Sequence, residues 1–162
     1  MERNCSLGKA IIVELHLCVF PKGIDRYYIV VHSKFIMETK KYLKLNDIDS
    51  YKMALNLSNT IWDIVKKWDY FARDTVGKQF VCAVDSISAN IAEGFGRYTK
   101  KDKIRFYRYA LASLKEAFDW NQKSKHRNLL TADQHLLILN SLEKIRKEIY
   151  FLIKYTNTKL IK

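Results

Sequence analysis

Proline is nearly missing from this chain. The only one is Pro21, and the 126 residues from Met37 to Lys162 contain none. Proline breaks helix interiors, so its absence over that length argues for a helical body. Cysteine is scarce too. Cys5, Cys18 and Cys82 are an odd count without close pairs, which excludes a disulfide framework and shows no metal-ligand spacing. The pattern suits a reducing cytoplasm, with Cys82 expected as a small buried hydrophobe in an apolar helix. No run of 18 apolar residues exists, so no membrane span is expected. The apolar stretch Ala10–Phe20 is interrupted by Glu14 and His16. It lacks a small-residue cleavage site, which argues against a signal peptide. Glycine numbers only five, and two of these, Gly94 and Gly96, fall together.

Positive charge, by contrast, is abundant. The 162 residues carry 29 Lys and Arg against 17 Asp and Glu, a formal net charge of +12. Such a chain favours polyanions: RNA, DNA or an anionic membrane surface. The plainer reading is solvated lysine on helix surfaces. Hydrophobic residues make up 48%, enough for one domain to build a core without disulfide or metal support.

Two regions differ in pattern. Residues 1–36 hold two β-rich runs, Ile11–Phe20 and Tyr27–Val31, separated by the turn signal Pro21–Asp25. A β-hairpin and a poorly ordered arm are both compatible with this extension. Met37 is an alternative start, which intact mass of the native protein would test. Residues 37–162 read as the bundle domain, with four amphipathic helices. The first is expected over about 48–68, capped by Asn46 or Asp47, with the seam Met53, Leu57, Ile61, Ile64 and Trp68. The second, about 75–93, has the seam Phe80, Val84, Ile87 and Ile91. Gly94 and Gly96 are expected to stop it through left-handed backbone. The third follows Thr99, whose spacing to Asp102 resembles a capping box. Its seam is Ile104, Tyr107, Leu111, Leu114 and Phe118. A better capping box, Thr131 with Gln134, opens the fourth, with the seam Ile138, Leu142, Ile145, Ile149 and Leu152. Leu136, Leu137, Leu139, Phe151 and Ile153 add a second apolar face there, for bundle neighbours or another subunit. Seams that step by three and four, joined by short connections, predict an all-α, up-down-up-down antiparallel four-helix bundle.

Catalytic constellations are weak. His16, His32, His126 and His135 are scattered, with the last two expected in solvent beside the third loop. No Glu-x-x-His pair supports a carboxylate-bridged metal site. Phosphate loops, nucleophile elbows and dinucleotide fingerprints are missing. A non-enzymatic protein without cofactor or metal is therefore expected.

The densest pattern is the run Ser86–Arg97 (SISANIAEGFGR), followed by Lys100–Tyr107 (KKDKIRFY). Six cations, Arg97, Lys100, Lys101, Lys103, Arg105 and Arg108, accompany one acid, Asp102. They form a candidate phosphate-binding patch at a helix junction. Tyr98 and Tyr109 are candidates for stacking on unpaired bases, or else for packing. Lys144, Arg146, Lys147 and Lys154 would extend the positive surface. Asn90 and Glu93 read as structural: Glu93 pairing with Arg97 or Arg105, Asn90 capping or bridging a helix end. Ser86, Ser88, Ala89 and Ala92 allow close helix approach.

Both runs resemble a bacterial four-helix bundle family whose members include the proteins encoded in intervening sequences of 23S ribosomal RNA genes. Leu45–Ala54 and Ala110–Ala117 resemble parts of its first and third helices. The resemblance spans about residues 37–162 and not 1–36. It implies a cytoplasmic, non-enzymatic bundle that assembles as a homopentamer. The family is similar in fold to diversity-generating retroelement accessory proteins, basic barrels that bind nucleic acid and a reverse transcriptase. Structured RNA is the expected partner. The alternative is a protein scaffold or accessory subunit, in which Tyr51, Trp120 and Tyr155 would matter if exposed. One departure is Ser88, where the family motif usually has proline. Without that bend the helix should run straighter through Ser88–Ala92.

Overall fold

The computed structural model describes residues 43–159. The expected extension, with its hairpin alternative, and the sites Cys5, Cys18, His16 and His32 lie outside them. Four long helices account for most of the described chain: α1 (Asp49–Val65), α2 (Lys78–Gly96), α3 (Lys100–His126) and α4 (Ala132–Lys159). No strand occurs among the described residues. Each helix packs on the next, and α1 closes the ring against α4. The result is the expected antiparallel bundle.

Its centre is a stack of four apolar lines. Ala54, Leu57, Ile61 and Val65 of α1 face Phe80, Val84, Ile87 and Ile91 of α2. Tyr107, Ala110, Leu114 and Ala117 of α3, with Ile138, Leu142, Ile145 and Ile149 of α4, complete it. Each fully buried Ile or Leu contributes about 1.5–3 kcal/mol of burial energy. The α2 seam and four of the five α4 seam residues sit as the periodicity predicts. On α3 the innermost line runs through two alanines instead, leaving Ile104, Leu111 and Phe118 half-buried. Small residues there let the neighbouring helices come close. On α1, Met53 and Ile64 are likewise half-buried, as is Trp68, which lies past the helix end at Val65 rather than inside it as expected.

The helix ends correct several expectations. α1 is capped by Ile48, not by Asn46 or Asp47. A 3₁₀ turn at Leu45–Asp47 precedes it, and Asp47 Oδ2 accepts from the Lys44 N–H at 2.9 Å. Asp47 is therefore spent one turn early. The helical path into α2 also begins earlier than Thr75. A single α-turn, Tyr70–Ala72, is capped by Asp69, whose Oδ1 accepts from Ala72 N–H at 3.0 Å. A π-turn, Arg73–Gly77, then leads into α2. An unbroken α-helix would carry the buried line back from Phe80 through Arg73. The wider turn admits Ala72 and Val76 to the core and leaves Arg73 exposed.

Gly94 and Gly96 do not stop α2 by left-handed backbone. The helix runs through Gly94 to Gly96, and neither glycine has a positive φ. A Cβ at Gly94 would lie 2.6 Å from Tyr107 Cε1 and 3.1 Å from the Lys103 carbonyl oxygen. Gly94 is there because α3 crosses against the α2 backbone. At Gly96 a Cβ would meet nothing within 4 Å. The left-handed stop occurs instead at Asn128, φ 56°, just past α3, where Leu129 N–H bonds to Ser124 O at 2.9 Å.

Both anticipated N-terminal caps form. Thr99 Oγ1 accepts from Asp102 N–H at 3.1 Å and donates to Asp102 Oδ2 at 2.7 Å. Thr131 and Gln134 exchange both capping bonds, at 3.0 and 3.1 Å. Through Ser88, α2 is continuous, and the Ser88 hydroxyl donates to Asp85 O at 3.0 Å.

Candidate nucleic-acid interface

At the α2–α3 junction the six motif cations separate into two groups. Three are engaged by their own surroundings. Arg97 pairs with Glu93, one of the two partners expected for that carboxylate, and its guanidinium lies 4.5 Å from the centre of the Phe106 ring. Lys103 donates from Nζ to the Phe95 carbonyl at 2.5 Å, satisfying an acceptor left over at the end of α2. Burial lowers the Lys103 pKa from its ordinary value. Arg105 pairs with Asp102 at 3.0 Å rather than with Glu93. Together with Gly94 against Tyr107, these contacts fix the angle at which α3 leaves α2.

Lys100, Lys101 and Arg108 make no salt bridge among the described residues. Lys101 and Arg108 are exposed and Lys100 half-buried. Beside them Tyr98 is 99% exposed. Tyr109, 50% exposed, stands edge-on to Phe106 with ring centroids 5.5 Å apart. Phe106 is half-buried, and Tyr107 is buried with its phenol near Thr156. Burial pushes the Tyr107 phenol up to about 12. Asn90 neither caps nor bridges a helix end. Its Nδ2 donates back to Ser86 O at 2.7 Å within α2.

Other expectations change with burial. Cys82 is exposed, because the buried register passes through Ala83 and Val84. His126 is exposed, but His135 is half-buried and its Nδ1 lacks a hydrogen-bond partner. Asn121 Nδ2 donates to the His135 carbonyl at 3.3 Å, tying α3 to α4. On α4, Arg146 pairs with Glu143 at 2.6 Å. Lys144, Lys147 and Lys154 are exposed and make no salt bridge among the described residues. Of the aromatics weighed for a protein partner, Tyr51 and Trp120 are half-buried, and Tyr155 is exposed.

Sequence reading passed over a cluster of exposed aromatics at the other end of the bundle: Trp62 (60%), Tyr70 (74%) and Phe71 (77%). Tyr70 and Phe71 are exposed beside the π-turn, which no periodicity count reveals, and Trp62 lies on α1 off its Leu57–Ile61–Val65 line. Among the described residues no group of three or more His, Cys, Asp or Glu could hold a metal ion. No described helix is long and apolar enough to cross a membrane.

Comparison with known proteins places the chain. One solved structure is a protein of unknown function from the S23 ribosomal protein family of Bacteroides thetaiotaomicron VPI-5482. It matches with a TM-score of 0.59 at 24% identity, covering 65% of this chain and 98% of the other. That likeness shows the helical fold. No curated protein matches. The model of the 23S rRNA-intervening sequence protein family matches residues 46–151, from the entry to α1 well into α4. The chain belongs to the 23S rRNA-intervening sequence protein family.

Proposed function

We propose that this protein is a non-enzymatic, homo-oligomeric RNA-binding bundle whose ligand is a structured RNA, ribosomal RNA being the first candidate. The observation that carries the reading is the set of cations without an acidic partner beside the junction: Lys100, Lys101 and Arg108, with the fully exposed Tyr98. Cations held by neighbouring carboxylates have little left for phosphate. Unpaired ones release counterions on binding, and their affinity falls steeply with salt. Arg97, Lys103 and Arg105 support the site by shaping it. Tyr98 is placed to stack on an unpaired base.

The family description names 23S rRNA, which makes ribosomal RNA the first nucleic acid to test. Self-association is the second part of the reading. Leu136, Leu137 and Phe151 on α4 are all more than half exposed, apolar surface available to another subunit. A pentamer, the assembly implied by the family resemblance, would repeat each cationic patch and add weak sites by avidity. The competing reading is a scaffold for a protein partner, favoured by the exposed Trp62, Tyr70 and Phe71.

Salt separates the two. Binding to a structured ribosomal RNA fragment, measured beside duplex DNA of equal length, should show a log–log salt slope of roughly −3 or steeper, from the three unpaired cations, and an RNA preference. Lys100→Glu with Lys101→Glu should abolish RNA binding while helicity and assembly persist. Undiminished binding by that variant at the same salt rules out the junction site. Lack of binding by the wild type near physiological salt favours the scaffold.

A further inference from the structure

The unpaired cations continue beyond the junction in rows. On α3, Lys101, Arg108 and Lys115 are exposed and spaced seven residues apart. On α4, Lys147 and Lys154 repeat that spacing. Seven residues are nearly two helical turns, so each row keeps to one side of its helix. The α3 row is about 21 Å long and the α4 row about 10 Å, at 1.5 Å per residue.

The antiparallel register brings the rows level. Asn121 Nδ2 of α3 donates to the His135 carbonyl of α4 at 3.3 Å. Arg108 lies thirteen residues before Asn121 and Lys147 twelve after His135, so they share one height. Seven residues further back along α3, and seven on along α4, Lys101 meets the height of Lys154. Packed helices lie about 8–10 Å apart. Lys101, Arg108, Lys147 and Lys154 therefore mark a frame about 10 Å on each side, with Lys115 prolonging one edge. Leu111 and Ile153, half-buried against the core, lie inward of it. None of the five cations is in a salt bridge among the described residues. Of the nearby acids, Asp102 holds Arg105, Asp119 holds Lys123 and Glu143 holds Arg146, and Glu116 accepts from Trp120 Nε1; Glu148, half-buried beside Lys147, is in no salt bridge among the described residues.

We infer that the α3–α4 face binds the double-stranded part of an RNA, its two cation rows each following one phosphate backbone across a groove. This rests on the RNA-binding reading above and names the form of the ligand. A single strand can follow one row at a time. Only a duplex presents two backbones to both rows at once. Duplex RNA is recognised through backbone and shape, since its deep groove excludes side chains. Long, flexible cations on both helices suit that mode. Tyr98 at the junction end would meet the loop or bulge where the stem stops.

The test compares a 20-base-pair RNA stem with one of its strands alone, using the full chain. Wild-type protein should bind the stem at least about tenfold more tightly than the strand. Lys115→Glu with Lys147→Glu should weaken stem binding about tenfold or more and shallow its log–log salt slope by about two. Strand binding should change little, and circular dichroism should match the wild type. If strand and stem bind equally, or the stem is indifferent to this variant while Lys100→Glu/Lys101→Glu abolishes binding, the duplex frame is wrong and the junction alone binds RNA. If neither RNA binds, the RNA reading itself falls, and the frame with it.

Discussion

The α2–α3 junction and the outer α3–α4 face are both rich in Lys and Arg, yet the bundle uses the two sets of cations in opposite ways. At the junction, Arg97, Lys103 and Arg105 are tied to Glu93, the Phe95 carbonyl and Asp102. On the outer face, Lys101, Arg108, Lys115, Lys147 and Lys154 stand in rows without acidic partners among the described residues. The junction is the denser motif in sequence, and its density reflects construction: a close helix crossing that must satisfy the last carbonyls of α2. The outer face has no compact motif. Its cations are separated by seven residues and interleaved with core positions. Counting charge along the chain rates the first region above the second. Accounting for each partner reverses the order.

The largest expected effect breaks the junction alone. Gly94→Ala places a methyl group into the Tyr107 ring and against the Lys103 carbonyl. Such overpacking costs about 1–3 kcal/mol, read as a lower midpoint of thermal unfolding. Gly96→Ala, with open space around it, should leave the midpoint near that of the wild type. Equal effects at both glycines would mean that α3 does not cross where the structure puts it.

A second test uses pH. The Tyr107 phenol is raised in the fold from 10 to about 12. Its contribution is fully present below pH 10. It is lost as pH climbs from 10 through 12, where the unfolded chain gives up the proton first. The loss should run at about 1.4 kcal/mol per pH unit. Tyr107→Phe removes the titrating phenol and should flatten this alkaline decline relative to the wild type. Denaturant melts of both proteins from pH 9 to 12 make the comparison, and parallel declines would contradict the assignment.

The smallest effect is expected at Glu93. Its pair with Arg97 is nearly half exposed on both sides. Glu93→Gln should therefore cost below about 1 kcal/mol and leave RNA affinity within about twofold. A large rise in affinity would show that Glu93 had been holding Arg97 away from phosphate.

Much of the bundle was legible in the sequence, for physical reasons. Apolar residues at three- and four-residue steps fixed the α2 seam and nearly all of that of α4. The Thr99 and Thr131 caps could be read because capping depends on neighbours in sequence. Features that depend on partners distant in sequence could not. Gly94 looks like a helix stop until Tyr107 is set beside it. Cys82 looks buried until the exact phase of α2 is known. Tyr70 and Phe71 face outward because a π-turn changes the residue count per turn, and periodicity assumes that count is constant. Within the candidate site, the motif gave the location of the junction and the Glu93–Arg97 pair. It gave no way to see that three of its six cations are already engaged, or that Arg108 and Lys147 stand level across two helices.

The most direct measurement is the salt slope of RNA-stem binding for two triple variants. The first is Lys101→Gln/Arg108→Gln/Lys115→Gln. The second is Arg97→Gln/Lys103→Gln/Arg105→Gln. Removing the unpaired row should flatten the slope by about two to three and leave thermal stability unchanged. Removing the engaged set should lower the unfolding midpoint and leave the slope within about one of the wild type. A slope that collapses for the second variant and holds for the first would contradict the division between structural and binding cations.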